Sequence, residues 1–560
     1  MTLADYLASC EPRYSREAQL LGGPFHGPGY HSRVQDGTYV HAIMNSLNYA
    51  AALLMSGDAA HVSRAADVLR KVLSLQDADP TSPTYGLWPW LLEEPLAEMA
   101  PPDPNWADLG GARLAQILKD HAGKLPADLA DPVRAGLGHA AWSIFRRNVD
   151  PAYTNVAIAG AGVTVAAGEL LGAPRLLDYG RRRLHALVRH TKFHGGFTEY
   201  NSPTYTLVAL HECERMLSLL GDVQARSDAD WLRCVAWLTI AEHYHPGTCQ
   251  WAGPHSRAYG LRLAPGAAEY LANQTGTEIA LHPPGGGERR SAPPQYPALE
   301  CPSPLKARFR KLPKDEVEVR RRFIRRDSDA TSTWGTTWFA GDACLGSVSR
   351  DNLWTQRHVL IGYWRAPEDP AVALRLRFLH DGRDFASAFV RSVQAGPRVL
   401  SVFNLATDLG DFHHDLDRPA GGLFMAEDFR VRYELSGAGV MAQALGAGRF
   451  VLAAGGRRAV VHTMPGRFGP YEVQWTFGKE GDCAFVDGVC YHESRLPFDL
   501  ARLGKIILAA GVELLAPLDS VAEASPVLEE HTEDSICVVW GLPGGGLMVT
   551  APTHPHPYPK

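Results

Sequence analysis

His194-Gly-Gly-Phe-Thr-Glu-Tyr-Asn-Ser-Pro-Thr-Tyr-Thr206 places a histidine, a glutamate, an asparagine and two tyrosines in a glycine-entered turn that runs directly into a helix. Ser202 carries the hydroxyl of a helix N-cap, Pro203 suits a first helical position, and an apolar-periodic stretch continues to about Leu220. Tyr205 then falls in the first helical turn, where unpaired backbone N–H groups and the helix dipole favour negative charge, and so a phenolate over a phenol. A tyrosine that ionises readily is a candidate Brønsted base. The same residues also suit a buried turn whose side chains only satisfy backbone groups.

A second polar site lies upstream. Asp150-Pro-Ala-Tyr-Thr-Asn155 opens another helix, with Asp150 or Thr154 as N-cap. The stretch that follows, Val156 to Leu171, is small and apolar and carries Gly160, Gly162 and Gly168, so it reads as buried on most sides. Asn155, at the mouth of that helix, is either a cap or an amide presented to a ligand.

Composition bounds the class. The chain has 560 residues, 45% hydrophobic and 21% charged, too long for one core and suited to two large domains. A net charge of −6 and a pI near 6.4 argue against dependence on nucleic-acid phosphates. No apolar run reaches about 18 residues, so no membrane-spanning helix is expected. The start, MTLADYLASCEPRYSREAQ, has neither a basic nor an apolar leader region, which gives a cytoplasmic expectation unless a leader has been removed. Nine scattered cysteines form no CxxC pair and no disulfide framework, consistent with reduced thiols.

The chain changes character near residue 300. Helix-period stretches recur before it, at about 38–56, 61–76, 106–121, 132–147, 155–171, 174–191, 204–220 and 228–244, joined by short Pro/Gly/Asp-rich connectors. Such spacing implies antiparallel helical hairpins. Residues 281–315 are rich in proline and glycine, and the basic stretch Lys306 to Arg326 is either a solvated segment or a positive rim for an anionic polymer. After about 328 the period becomes two, as in Thr333–Phe339, His358–Trp364, Ala373–Phe378, Phe429–Tyr433 and Tyr471–Trp475, with turns expected at Asp381-Gly382, Gly455-Gly456 and Asp487-Gly488. The expected organisation is α+β: a helical domain at 1–300, a linker at 301–327 and an antiparallel β-sandwich at 328–560.

The helical hairpins, the sandwich, an asparagine at a helix start and Glu199-Tyr-Asn-Ser-Pro-Thr-Tyr205 some fifty residues on together resemble the heparinase II/III-like polysaccharide lyases. The resemblance in architecture covers most of the chain, and the motif match covers about fifty residues. It implies an incomplete (α/α) toroid joined to an antiparallel β-sandwich, no cofactor and an acidic oligo- or polysaccharide as partner, and it allows a homodimer. It further implies Asn155 as neutraliser of the uronate carboxylate, Tyr205 as base and a later histidine. Several relatives follow the asparagine directly with histidine, whereas Val156 stands here.

Two stretches are candidates for the missing imidazole: Trp251-Ala-Gly-Pro-His-Ser-Arg-Ala-Tyr259, with His255, Arg257 and Tyr259, and Asp351-Asn-Leu-Trp-Thr-Gln-Arg-His358, with Gln356, Arg357 and His358. Each has a plain structural alternative, an ion pair for Arg257 and an alternating strand residue for His358. His413-His414 with Asp411, Asp415 and Asp417 suits a solvated loop better than a metal site, so no metal is expected. The remaining substrate-binding candidates are His194, Glu199, Asn201 and Asn105, with Trp88 and Trp90 as sugar-stacking or core aromatics and Trp106 beside Asn105.

Elimination from a 4-O-linked uronate removes the C5 proton, and fixed donors on the carboxylate stabilise the charge that develops. Two alternatives stand beside it. One is a glycoside hydrolase on the same helical scaffold, using Glu199 with Asp103 or Glu94 as paired carboxylates. The other is a carbohydrate-binding protein without turnover.

Overall fold

The computed structural model describes residues 2–279, 299–542 and 545–559. Among these the chain forms two compact units, one holding 2–193 and Leu207–Ala236, the other His194–Thr206, 237–279 and 301–559. The fold class is α+β multidomain, an incomplete (α/α) toroid followed by an antiparallel β-sandwich.

The first unit is built from helices Ile43–Ser56, Ala59–Ser74, Asn105–His121, Ala127–Arg147, Thr154–Leu170 and Pro174–His194, each close to an expected periodic stretch. Consecutive helices pack as hairpins: Ile43–Ser56 against Ala59–Ser74, and Asn105–His121 against Ala127–Arg147. Thr154–Leu170 is buried over nearly its whole length, as its run of small and apolar residues favours. Two glycines let it lie close to the helix that follows: a Cβ on Gly168 would come 2.5 Å from the Leu177 backbone nitrogen, and one on Gly180 would come 2.7 Å from that of Val165. A three-stranded sheet of Tyr14–Ser15, Leu20–Pro24 and Tyr39–His41 precedes these helices.

The second unit centres on two large antiparallel sheets. One runs through Cys483–Asp499, Leu423–Ser436, Asp369–His380, Leu360–Ala366, Ala343–Val348 and Thr333–Phe339 to its edge at Val317–Ile324. The other runs from Met441–Gly446 through Arg457–Thr463, Ala509–Leu515, Arg398–Leu405 and Ala388–Ala395 to its edge at Arg350–Asn352. Trp364, Phe378, Phe403, Phe429 and Tyr433 belong to the core between them. A small sheet, Val527–His531, Ser535–Trp540 and Leu547–Pro552, shares a further core with Leu400 and Val402.

Several local expectations need correction. Val317–Ile324, inside the span read as a linker, pairs with Thr333–Phe339 as a sheet edge, with three consecutive arginines, Arg320 to Arg322, ahead of Phe323 and Ile324. Residues 281–298 of the Pro/Gly-rich stretch lie outside the described residues. Asp381-Gly382 is a two-residue hairpin turn with both φ angles positive, 46° and 78°, as the sequence indicates. Asp487-Gly488 is not a turn but the middle of the strand Cys483–Asp499. Asp487 is wholly buried there and accepts from Arg430 at 2.9 Å and from Arg432 at 2.7 and 2.8 Å, while Gly488 makes room for the Trp475 ring. Burial with two guanidinium partners overrides the turn preference of Asp-Gly.

Candidate active site

The segment after Pro174–His194 turns at Gly195, whose φ is 92°, and again at Asn201, whose φ is 43°. Asn201 is buried; its Nδ2 donates to the carbonyls of Ala252 (2.9 Å) and Pro254 (2.8 Å), and its Oδ1 accepts the Trp251 indole N–H at 2.5 Å. Its amide thus pins the 251–254 turn to the 195–204 turn. The Ser202 hydroxyl accepts the Tyr205 N–H at 2.9 Å and donates to the Arg257 carbonyl at 2.5 Å. Ser202 is therefore the cap the sequence indicates, and it also ties Arg257 to the start of the helix Tyr205–Leu219.

These tethers bring one group of side chains together within the second unit. The Tyr205 hydroxyl lies 2.6 Å from the Tyr259 hydroxyl and accepts from Arg257 Nη2 at 2.9 Å. Arg257 also donates from Nη1 to Glu199 at 2.8 Å and from Nε to the Gln356 side chain at 3.0 Å. Its guanidinium carbon stands 3.8 Å from the centre of the Tyr205 ring and 5.7 Å from that of Trp354. Glu199 and Gln356 are buried, Tyr205 is half-buried and Tyr259 is 60% exposed, so solvent reaches the tyrosine pair. Five residues singled out in the sequence, Glu199, Tyr205, Arg257, Tyr259 and Gln356, thus form one hydrogen-bonded cluster.

The two histidines are placed differently. His255 and His358 face each other across an isolated antiparallel bridge, each donating its backbone N–H to the other's carbonyl at 3.0 Å. His255 Nε2 lies 3.1 Å from the Trp251 carbonyl and must be the protonated nitrogen there; His255 Nδ1 then accepts from His358 Nδ1 at 3.3 Å. Burial pushes the His255 pKa down to about 3, and burial with its neighbour pushes that of His358 well below its ordinary value. Both pKa shifts favour the neutral imidazole, and the facing nitrogens of the two rings bond to each other inside the fold.

Arg357 is likewise engaged, donating to Asp351, Asn352 and the Ser256 carbonyl. Asp351 also accepts the hydroxyls of Tyr200 at 2.6 Å and Tyr558 at 2.7 Å. Sequence reading did not single out Asp351, Tyr200, Tyr558 or Trp354, whose contacts include residues far along the chain: Tyr200 and Tyr558 on Asp351, and Arg257 beside Trp354. His194 Nδ1 accepts the Arg325 N–H at 3.0 Å. In the loop at 411–417, Asp417 accepts backbone N–H groups of Asp411, Phe412 and His413, and His413 Nδ1 accepts those of Asp415 and Leu416. Among the described residues no group of three or more His, Cys, Asp or Glu is arranged to hold a metal ion.

The other candidates lie in the first unit. Asn155 is buried as the second residue of Thr154–Leu170; the N-cap position is Tyr153, and Asp150 accepts the Ala152 N–H at 2.8 Å. Trp88 is a buried residue whose indole N–H donates to the Val72 carbonyl at 3.0 Å, in line with the core use that its sequence also allows. Trp90 stacks with Trp106 at 6.0 Å, and Asn105 bridges Tyr153 and Arg147. Glu94 accepts the Arg33 N–H at 2.7 Å and Asp103 the Asn105 N–H at 3.0 Å. Each carboxylate of the hydrolase alternative therefore has a structural partner, Glu199 being ion-paired with Arg257.

Comparison with known proteins gives the following likenesses. A family model described as a domain of unknown function (DUF8769) matches residues 26–272, a span that includes Asn155, Glu199, Tyr205, Arg257 and Tyr259. No curated protein sequence matches the chain. Among solved structures, the Streptomyces coelicolor A3 chondroitin AC lyase in complex with chondroitin sulphate is similar at 10% identity and a TM-score of 0.51, over 98% of this chain and 84% of that one. A heparinase III structure is similar at 11% identity and a TM-score of 0.42, over 90% of this chain and 81% of that one. The chondroitin AC lyase likeness shows a shared fold, a helical toroid followed by a β-sandwich.

Proposed function

We propose that the chain is a polysaccharide lyase that cleaves an acidic, uronate-containing glycan by β-elimination, with Tyr205 as the base. The observation that carries this reading is the Tyr205 phenol oxygen held between the Arg257 guanidinium and the Tyr259 hydroxyl, on a half-buried residue beside an exposed one. A cation within hydrogen-bond reach favours the phenolate, and the position at a helix start acts in the same direction.

In the reaction the Tyr205 oxygen takes the C5 proton, the C5–H electrons form the C4=C5 double bond, and the C4–O bond breaks with its electrons on the leaving oxygen. The proton returns from Tyr205 to that oxygen when both lie on one sugar face, and Tyr259 is placed to relay it. Arg257, held by Glu199 and Gln356, supplies a fixed positive charge beside the developing negative charge. The fixed pairing of Glu199 supports elimination over a paired-carboxylate hydrolysis. Asn155 as carboxylate neutraliser rests on its sequence position alone.

A panel of uronate glycans, chondroitin sulphate among them, followed by ultraviolet absorbance of the unsaturated product, tests this. Absorbance rising with new reducing ends is expected. New reducing ends without the chromophore would point to a hydrolase, and binding without either product to a lectin-like role.

A further inference from the structure

Arg350, on the edge strand Arg350–Asn352, stands directly opposite Arg391 on Ala388–Ala395. Opposite residues of an antiparallel pair project from the same face with their Cβ atoms about 5 Å apart, and like charges there repel. A third guanidinium joins them. Arg350 Nη1 donates to the Thr331 carbonyl at 3.1 Å, and Arg326 Nη1 donates to the same oxygen at 3.2 Å and to the Thr333 hydroxyl at 2.7 Å. Arg391 Nη1 reaches the Thr550 carbonyl at 3.2 Å, and its Nε is buried with no hydrogen-bond partner.

Charge balance between Arg350 and Arg391 is incomplete. Among the described residues the partners of Arg350 and Arg391 are neutral carbonyl oxygens, not carboxylates. Asp351, next in sequence, already receives Arg357, Tyr200 and Tyr558. Burial, then Arg391 and Arg326, push the Arg350 pKa down, against lesser opposing effects of Tyr558 and Asp351. Partly buried cations facing one another call for an anion between them. Guanidinium groups match the flat faces of carboxylate and sulfate oxygens by paired N–H donors.

We infer that Arg326, Arg350 and Arg391 form an oxyanion subsite on the β-sandwich that receives a sulfate or carboxylate group. That the group is carried on a glycan rests on the lyase reading above; the subsite itself does not. It gives the basic stretch ending at Arg326 a definite ligand chemistry in place of a diffuse positive rim.

The test uses the full chain and its Arg350→Gln and Arg391→Gln variants. Inorganic sulfate is titrated at constant ionic strength against chloride, with calorimetry and thermal melting as readouts. Saturable binding and a sulfate-dependent rise in Tm are expected for the parent, weakened about 10- to 100-fold in each variant. Each variant's own Tm should not fall, because substitution removes a like-charge contact, and this separates lost binding from lost folding. Chondroitin sulphate and its desulphated form then distinguish the source: weakening for the first alone assigns sulfate, and weakening for both assigns carboxylate. Variants that bind sulfate and both glycans like the parent, or a parent that binds none of them, would overturn the inference. Sulfate binding that depends on these arginines in a protein without eliminase activity would keep the subsite and remove the lyase reading.

Discussion

Arg257 both donates to the phenol oxygen of Tyr205 at 2.9 Å and lies 3.8 Å from the centre of its ring. The guanidinium therefore fixes the position of the hydroxyl and sets the charge around it. Glu199 and Gln356 hold Arg257 in turn, so the geometry around Tyr205 is built before any ligand arrives.

Tyr205→Phe removes one oxygen and leaves the ring in place. Turnover of a substrate found in the absorbance screen should fall by about 10²–10⁴-fold, the range for loss of a general base, with little change in Tm. Single-turnover rates near those of the parent would end the assignment of Tyr205 as base.

Arg257→Gln removes the guanidinium that pairs with the buried Glu199 carboxylate at 2.8 Å, a change that costs on the order of 3–5 kcal/mol in comparable buried pairs. The double substitution Arg257→Gln with Glu199→Gln should recover much of that stability while activity stays low. Denaturant midpoints beside kcat separate the two effects, and recovery of both together would make Arg257 a purely structural residue.

Asn155→Ala tests the neutraliser expected from sequence. A carboxylate contact that strengthens as charge develops predicts a kcat about 10²–10³-fold lower with a smaller change in KM. A residue that only supports the first turn of its helix would instead lose about 1 kcal/mol of stability with rates unchanged.

Asp108 gives a pH dependence in the first unit. Burial raises its pKa from an ordinary 3.8 to about 7, against the opposing charge of Arg147 at 3.6 Å. The native state favours the neutral acid, so this contribution is complete below pH 3.8 and is lost as pH rises through 7. Asp108→Asn should therefore raise Tm relative to the parent at pH 8 and have little effect at pH 4, with an upper bound on the order of 4 kcal/mol. A parent and variant with parallel stability–pH curves would show that Asp108 ionises normally.

The His255–His358 pair works in the other direction. His255 has a folded pKa of about 3 against an ordinary 6.5, so the unfolded chain binds the extra proton between these values. Stability from this pair is complete above pH 6.5 and declines as pH falls toward 3. Replacing His255 with Gln should flatten the acid limb of a stability–pH curve, and an unchanged limb would assign the acid sensitivity to other groups.

Much of the fold is legible along the chain because its signals are local. Apolar period marks Thr154–Leu170, and apolar period with the Ser202 cap marks Tyr205–Leu219, each to within a residue or two, while period two marks Thr333–Phe339. Local signals fail where a distant partner outweighs them, as at Asp487-Gly488, whose turn chemistry yields to Arg430 and Arg432, and at Val317–Ile324, whose charges hide an edge strand.

The same division holds for the candidate site. Residue types and spacing single out Glu199, Ser202, Tyr205, Arg257, Tyr259 and Gln356, and the capping role of Ser202 follows from sequence because its partner lies three residues away. That Arg257 stacks on Tyr205, that His255 and His358 face each other, and that Trp88 lies in a core were decided by tertiary structure alone. Whether a polar group is offered to a ligand or used inside the fold depends on which partners the packed chain brings within about 3 Å. Those partners are often more than a hundred residues away, as Tyr558 is from Asp351, beyond what any local pattern of residues encodes.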